Sequence, residues 1–252
     1  MAIFKSGNPA LSEKRFEQSM VVDQDQTMTA RGTLNKFGFL FLMVMATAVF
    51  SWNSFFGGKD VTSYMWIGAI GGLITALVII FKQTWAPYLA PAYALFEGLF
   101  VGSISAIYQN AFGAAAPSII MQAVLLTFGT VIAMYLLFTF RIIKATEKFK
   151  SVVMSASIAI AIVFLVQMVM RLAFGSSIPF LFENNLLGLG FAAFVAVIAS
   201  LNLILDFDLI ESAAAQHAPK AMEWLCGIAL LATLVWMYYS FLRLLSMLRG
   251  DD

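Results

Sequence analysis

Seven apolar stretches, each long enough to cross a bilayer, constrain this chain more than any other feature. They cover about 37–56, 62–81, 86–108, 117–140, 151–174, 186–207 and 222–247, and a transmembrane helix needs roughly 20 such residues. Backbone immersed in lipid must satisfy its own hydrogen bonds, and the alternation that would mark strands is absent, so each run is expected to be a helix. No soluble linker, low-complexity tract or clear internal repeat divides the chain. The expected fold is therefore an all-α integral membrane protein: a polar arm over 1–36, one seven-helix bundle over 37–248 and a short tail over 249–252. With 61% hydrophobic and 12% charged residues among 252, a soluble fold would have too little interior to hide the apolar surface.

The arm lacks the basic-then-apolar start of a secretory signal, so the first apolar run is expected to stay as an anchor, with the arm in the cytoplasm. Under that orientation Lys5, Lys14, Arg15, Arg31, Lys36, Lys82, Arg141, Lys144, Lys148, Lys150 and Lys220 all fall in cytoplasmic segments, as the positive-inside rule requires. An odd number of spans then sends the C-terminus outside. The net charge of +1 is spread by topology and does not point to nucleic acid. Arg171 and Arg243 lie near the outer ends of their runs and are expected to snorkel to the interface.

Small residues recur every fourth position: Gly68, Gly72 and Ala76; Gly98, Gly102 and Ala106; Gly188, Ala192, Ala196 and Ser200. Each set makes a smooth stripe for close helix contact. Gln122, Gln167 and Asn202 are expected to hydrogen-bond between helices.

Several chemistries are excluded. One cysteine, Cys226, and one histidine, His217, cannot build a Cys/His zinc cage within the chain, so any metal would be held by oxygen. No lysine lies inside a span for a Schiff base, and no nucleophile and base are paired for covalent catalysis, so neither an enzyme nor a resident cofactor is expected.

The acids carry the functional signal, because a charge at membrane depth costs a few kcal/mol and faces protein or water. Asp206 and Asp208 close the sixth run without an obvious basic neighbour. On a helix they point about 200° apart, so only one can face the bundle. Asn202 and the small-residue stripe favour Asp206, while Asp208 aligns with Glu211 towards the loop and water. The alternative is that both mark the membrane boundary. Glu97 is the deepest acid, about 17 Å along the third run, and either lines an ion route or bonds, protonated, across helices.

The segments "NPAL", "MTARGTLNKFGFL", "YALFEGLFVGSISAIY" and "LDFDLIESAAAQHAPKAMEWLCG", in that order and across nearly the whole chain, resemble the bacterial branch of the Bax inhibitor-1 family, also called the YccA or TMBIM family. The resemblance implies a bundle with the seventh helix central and a pH-sensitive calcium leak, controlled by an acid near the cytoplasmic end of the sixth span paired with an acid in the seventh. The "Asp-x-x-Leu-Ile" spacing assigns the sixth-span acid to Asp206. The seventh-span position falls on Ala232 or Trp236, neither an acid, so the two-carboxylate latch does not carry over. Glu223 or Glu97 is the substitute partner to test, with calcium expected at Asp206. The runner-up is a non-conducting regulator that binds another membrane protein, such as a quality-control protease.

Overall fold

The computed structural model describes residues 27–112, 119–176, 178, 181, 183 and 185–249. Most of the arm, and residues 250–252 of the tail, lie outside them. Seven long helices occur among the described residues: α1 (Ala30–Phe56), α2 (Thr62–Phe81), α3 (Ala86–Phe112), α4 (Ile119–Thr139), α5 (Glu147–Phe174), α6 (Leu186–Ala215) and α7 (Met222–Arg249). All seven are long and apolar enough to cross a membrane.

Local chemistry sets the helix ends. Thr29 caps α1, its hydroxyl accepting from the Gly32 N–H at 2.9 Å, and Asn185 caps α6 through the Gly188 N–H at 2.7 Å. Gly175 ends α5 at φ 64°, a left-handed conformation that glycine adopts without strain. The apolar run begins at residue 37, yet α1 begins at Ala30, because its polar first turns are held by contacts from α7 described below. Pro91 sits inside α3, and the helix continues through it.

α7 is central: 61% of its most apolar stretch is enclosed, against 11% for α5. It packs mainly on α1, α3, α4 and α6, while α2 leans on α3 and α5 on α6. The other six helices therefore form two layers around α7.

The small-residue stripes set the closest approaches. A Cβ on Gly98 would lie 2.3 Å from the Val44 carbonyl oxygen, and one on Gly102 would lie 2.2 Å from that of Ala48. Only glycine lets α1 lie this near α3. A Cβ on Gly68 would likewise meet the Phe96 carbonyl oxygen at 2.6 Å, which seats α2 on α3; Gly72, next on that stripe, is also buried. Gly188, Ala192, Ala196 and Ser200 are buried on α6.

The starts of α1 and α7 meet on one face. The Met28 N–H donates to the Ala218 carbonyl at 2.7 Å, and Thr27 bridges to Pro219. The α4–α5 loop joins the same face where Arg141 pairs with Glu211 at 2.7 Å.

Candidate functional site: the α6–α7 seam

α6 and α7 face each other through matching rows. Ala199, Leu203, Asp206 and Ile210 on α6 meet Cys226, Leu230, Thr233 and Met237 on α7, both rows with four-three-four spacing. Apart from Asp206 and Thr233, these residues form one buried apolar cluster. Asp206 and Thr233 are the polar members, one from each helix. The Thr233 hydroxyl donates to the Asp206 carboxyl, and the Cys226 thiol lies close by. The second carboxyl oxygen, Oδ2, is buried with no hydrogen-bond partner among the described residues. Asp206 sits about 13 Å along the axis from the C-terminal end of α6.

Asp208 points the other way, as the 200° offset requires, and pairs with Lys150 at the start of α5 at 2.7 Å. Glu211, one turn on, takes Arg141. Asp208 is therefore an ion-pair residue of the basic face.

Glu223 is not the partner of Asp206. It is 1% exposed, and its Oε1 accepts from the Thr29 backbone N–H at 3.0 Å and from the Thr29 hydroxyl at 3.2 Å. Lys36 pairs with its Oε2. A carboxylate placed at the start of α1 is where the helix dipole and the free N–H groups favour negative charge. The α7 register explains the correction: Glu223 lies three residues before Cys226 and turns towards α1.

Glu97 belongs to a third environment. It is half-buried on α3, bonded to the Tyr93 hydroxyl, with Oε1 3.4 Å from where a Cβ on Gly72 would stand. That places it against α2, on an interface separate from the Asp206 seam. Glu97 and Asp206 do not line one continuous row.

Arg243 also departs from expectation. It is 7% exposed and turns inward, because the Leu181 carbonyl and the Phe191 ring offer it partners within the protein. Arg171 stays exposed near the end of α5. Two of the three amides bond between helices as expected: Asn202 donates to Ser157 across α6–α5 at 2.7 Å and Gln122 accepts from Arg249 across α4–α7, whereas Gln167 accepts from the Ile178 N–H, in the segment that follows its own helix.

Among the described residues no three His, Cys, Asp or Glu side chains converge to hold a metal. Bound calcium takes about six to eight oxygens, and the seam offers Asp206 one hydroxyl, so residence of calcium there does not fit. Sequence reasoning missed Thr233, which stands one residue from Ala232, one of the two positions where the resemblance placed an acid. Its signal was the four-three-four row shared with Cys226, Leu230 and Met237.

Comparison with curated proteins and with solved structures gives no match. A family model described as Bax inhibitor 1 like matches residues 8–250. With six membrane-length helices around a central seventh among the described residues, the chain belongs to the Bax inhibitor-1-like family of membrane proteins.

Proposed function

We propose that this protein is a non-enzymatic, pH-sensitive leak for cations, calcium foremost, in a bacterial cytoplasmic membrane, with Asp206 as its proton-sensitive gate. The observation that carries this reading is the buried, unpartnered Asp206 oxygen inside the α6–α7 seam. A neutral carboxyl is tolerated there, with Thr233 as its bonding partner. An ionised one is short of hydrogen bonds in an apolar row, and burying a charge in that state is costly. Loss of the proton therefore favours a parted seam in which water reaches Asp206. In that state the carboxylate and nearby helix carbonyls are hard oxygen donors suited to a passing calcium ion. Calcium is cargo in this scheme, with no resident metal or cofactor. The basic face that holds Lys36, Arg141, Lys150 and Lys220 is the cytoplasmic side, by the positive-inside rule.

The test is calcium flux into proteoliposomes at about pH 6 and about pH 8. Because the closed seam holds the proton and the parted seam releases it, flux is expected to be higher at the higher pH. Asp206→Asn removes the titrating group and is expected to abolish the difference. An unchanged pH response in Asp206→Asn would move the gate elsewhere, and no flux at either pH would end the leak reading. A fall in flux in Glu97→Gln would add the α2–α3 interface to the path.

A regulator that acts by binding another membrane protein is the second reading. It is favoured by the bonds from Met28 and Thr29 to Ala218 and Glu223, which tie the end of the N-terminal arm to both sides of the α6–α7 turn. A partner gripping the arm would act directly on the seam. Loss of the cellular effect on deleting residues 1–26, with flux intact, would support this reading.

A further inference from the structure

Among the described residues α1 and α4 border one side of the bundle without packing along their length, and the Phe41 and Phe128 rings, 6.1 Å apart, bridge them at one point. From that pair a cleft of about 370 Å³ runs to Trp52 on α1 and Ile120 on α4. α3 and α7 form its floor through Gly102, Ser105, Leu234 and Tyr238. Trp52 stands one turn before the end of α1 and Ile120 at the start of α4. The cleft therefore occupies the half of the bundle away from the basic face.

The chemistry of the lining selects hydrocarbon. Its hydroxyls are already engaged: Ser105 with Tyr238 at 2.6 Å, and Thr127 with the Ala123 carbonyl at 2.7 Å. Water needs two to four polar partners to stay in a cavity, and this one offers it no free group to hold. Shape then selects the kind of hydrocarbon. From Phe41 to Trp52 α1 advances roughly 17 Å, close to the ~15 Å that one leaflet contributes to the bilayer core. Spread over that length, 370 Å³ leaves a mean cross-section of about 22 Å². A helix with its side chains is about 10–12 Å across, roughly 80–110 Å² in section, and does not fit. An alkyl chain is one carbon wide, with neighbours at about 3.5–4.0 Å on every side, and fits singly. The cleft is also open sideways, since Met45, Val49 and Phe128 on its rims are 43–51% exposed. One tail can enter from the bilayer while the glycerol and the second tail stay outside.

We propose that the α1–α4 cleft is a lipid site that takes one acyl chain of a phospholipid from the leaflet opposite the basic face. The tail leans on Leu234, Val235 and Tyr238, the flank of α7 turned away from Thr233. Binding there does not depend on whether ions cross the protein.

The test titrates the purified full chain, in a steroid-based detergent with no alkyl tail to compete, with phosphatidylglycerol carrying brominated oleoyl chains. Quenching of Trp52 is followed in a background of Trp66→Phe, Trp85→Phe, Trp224→Phe and Trp236→Phe, and native mass spectrometry of the unaltered chain counts the lipids retained. Quenching is expected to saturate at one lipid per protein. Ala48→Phe and Val124→Phe, which fill the cleft from opposite walls, are expected to weaken binding about ten-fold. Leu125→Phe, on the lipid-facing side of α4 and 64% exposed before substitution, is expected to leave it unchanged. Monodispersity checks that each variant assembles, and either filled variant serves if the other does not. Dihexanoyl phosphatidylglycerol, whose tails are too short for the cleft, is expected to bind more weakly. Quenching that never saturates, binding that both filled variants leave unaltered, or equal binding of short and long tails would overturn the site. So would tighter binding of oleic acid, which gives the cleft to a free fatty acid, or a wild-type dimer that Ala48→Phe dissolves, which gives it to a second copy.

Discussion

Glu223 shows how much a single carboxylate can hold when its surroundings supply every partner. It gathers a backbone N–H, a hydroxyl and the Lys36 ammonium at the start of α1. Glu223→Gln keeps the shape and removes the charge, and charge-assisted hydrogen bonds contribute about 1.5–3 kcal/mol. The variant is expected to unfold earlier by that amount in detergent, by thermal or denaturant melts. Lys36→Met should cost less, since that side chain is 19% exposed and partly served by water. Helix geometry separated Asp206 from Asp208, because residues two apart on a helix cannot share a face, and Asn202 with the small-residue stripe marked the side of Asp206. It could not name the partners of these acids or of Glu223: Thr233, Lys150 and the Thr29–Lys36 pair are all distant in the chain, and no local pattern encodes which helices become neighbours. The resemblance directed attention to an acid in the seventh span, at Ala232 or Trp236, and so passed over the threonine beside the first of them.

Spans were legible because length and hydropathy are local quantities that lipid reads directly. The stripes at Gly68, Gly98 and Gly102 were legible for a similar reason: spacing by four always returns to one side of a helix. Their partners were not, and the pairing of α3 with both α1 and α2 emerges only from the packing. Gly102→Ala is expected to push α1 from α3, since its Cβ would fall 2.2 Å from the Ala48 carbonyl oxygen; overpacking of this kind costs about 1–3 kcal/mol. Gly129→Ala on α4 is the counterpart, with nothing within 4 Å of the new Cβ. There the better helix propensity of alanine should stabilise by up to about 1 kcal/mol. Melts of the two variants side by side separate close approach from propensity. α5 is held more loosely, and Asn202→Leu, which removes its bond to Ser157, should cost about 0.6 kcal/mol. Hydrogen exchange along α5 would show the loosening.

The assembled bundle has a basic face and, among the described residues, a face with few charges, and the proposed orientation rests on that asymmetry. A cysteine at Lys148 should react with an impermeant thiol reagent only from the cytoplasmic side, and one at Lys59 only from the opposite side; reversal of the two would invert the topology. The exposed Arg141–Glu211 pair contributes little to stability, about 0–1 kcal/mol and less in salt, so its loss should leave the melt nearly unchanged. The contact between the beginning of α1 and the beginning of α7 bears on how the molecule is made. During synthesis α1 leaves the ribosome long before residue 223 exists, so its first turn must wait in water with Lys36 and its leading N–H groups hydrated. Only when the last span has entered the membrane does the carboxylate arrive to claim them, and the chain's first helix is finished by its last.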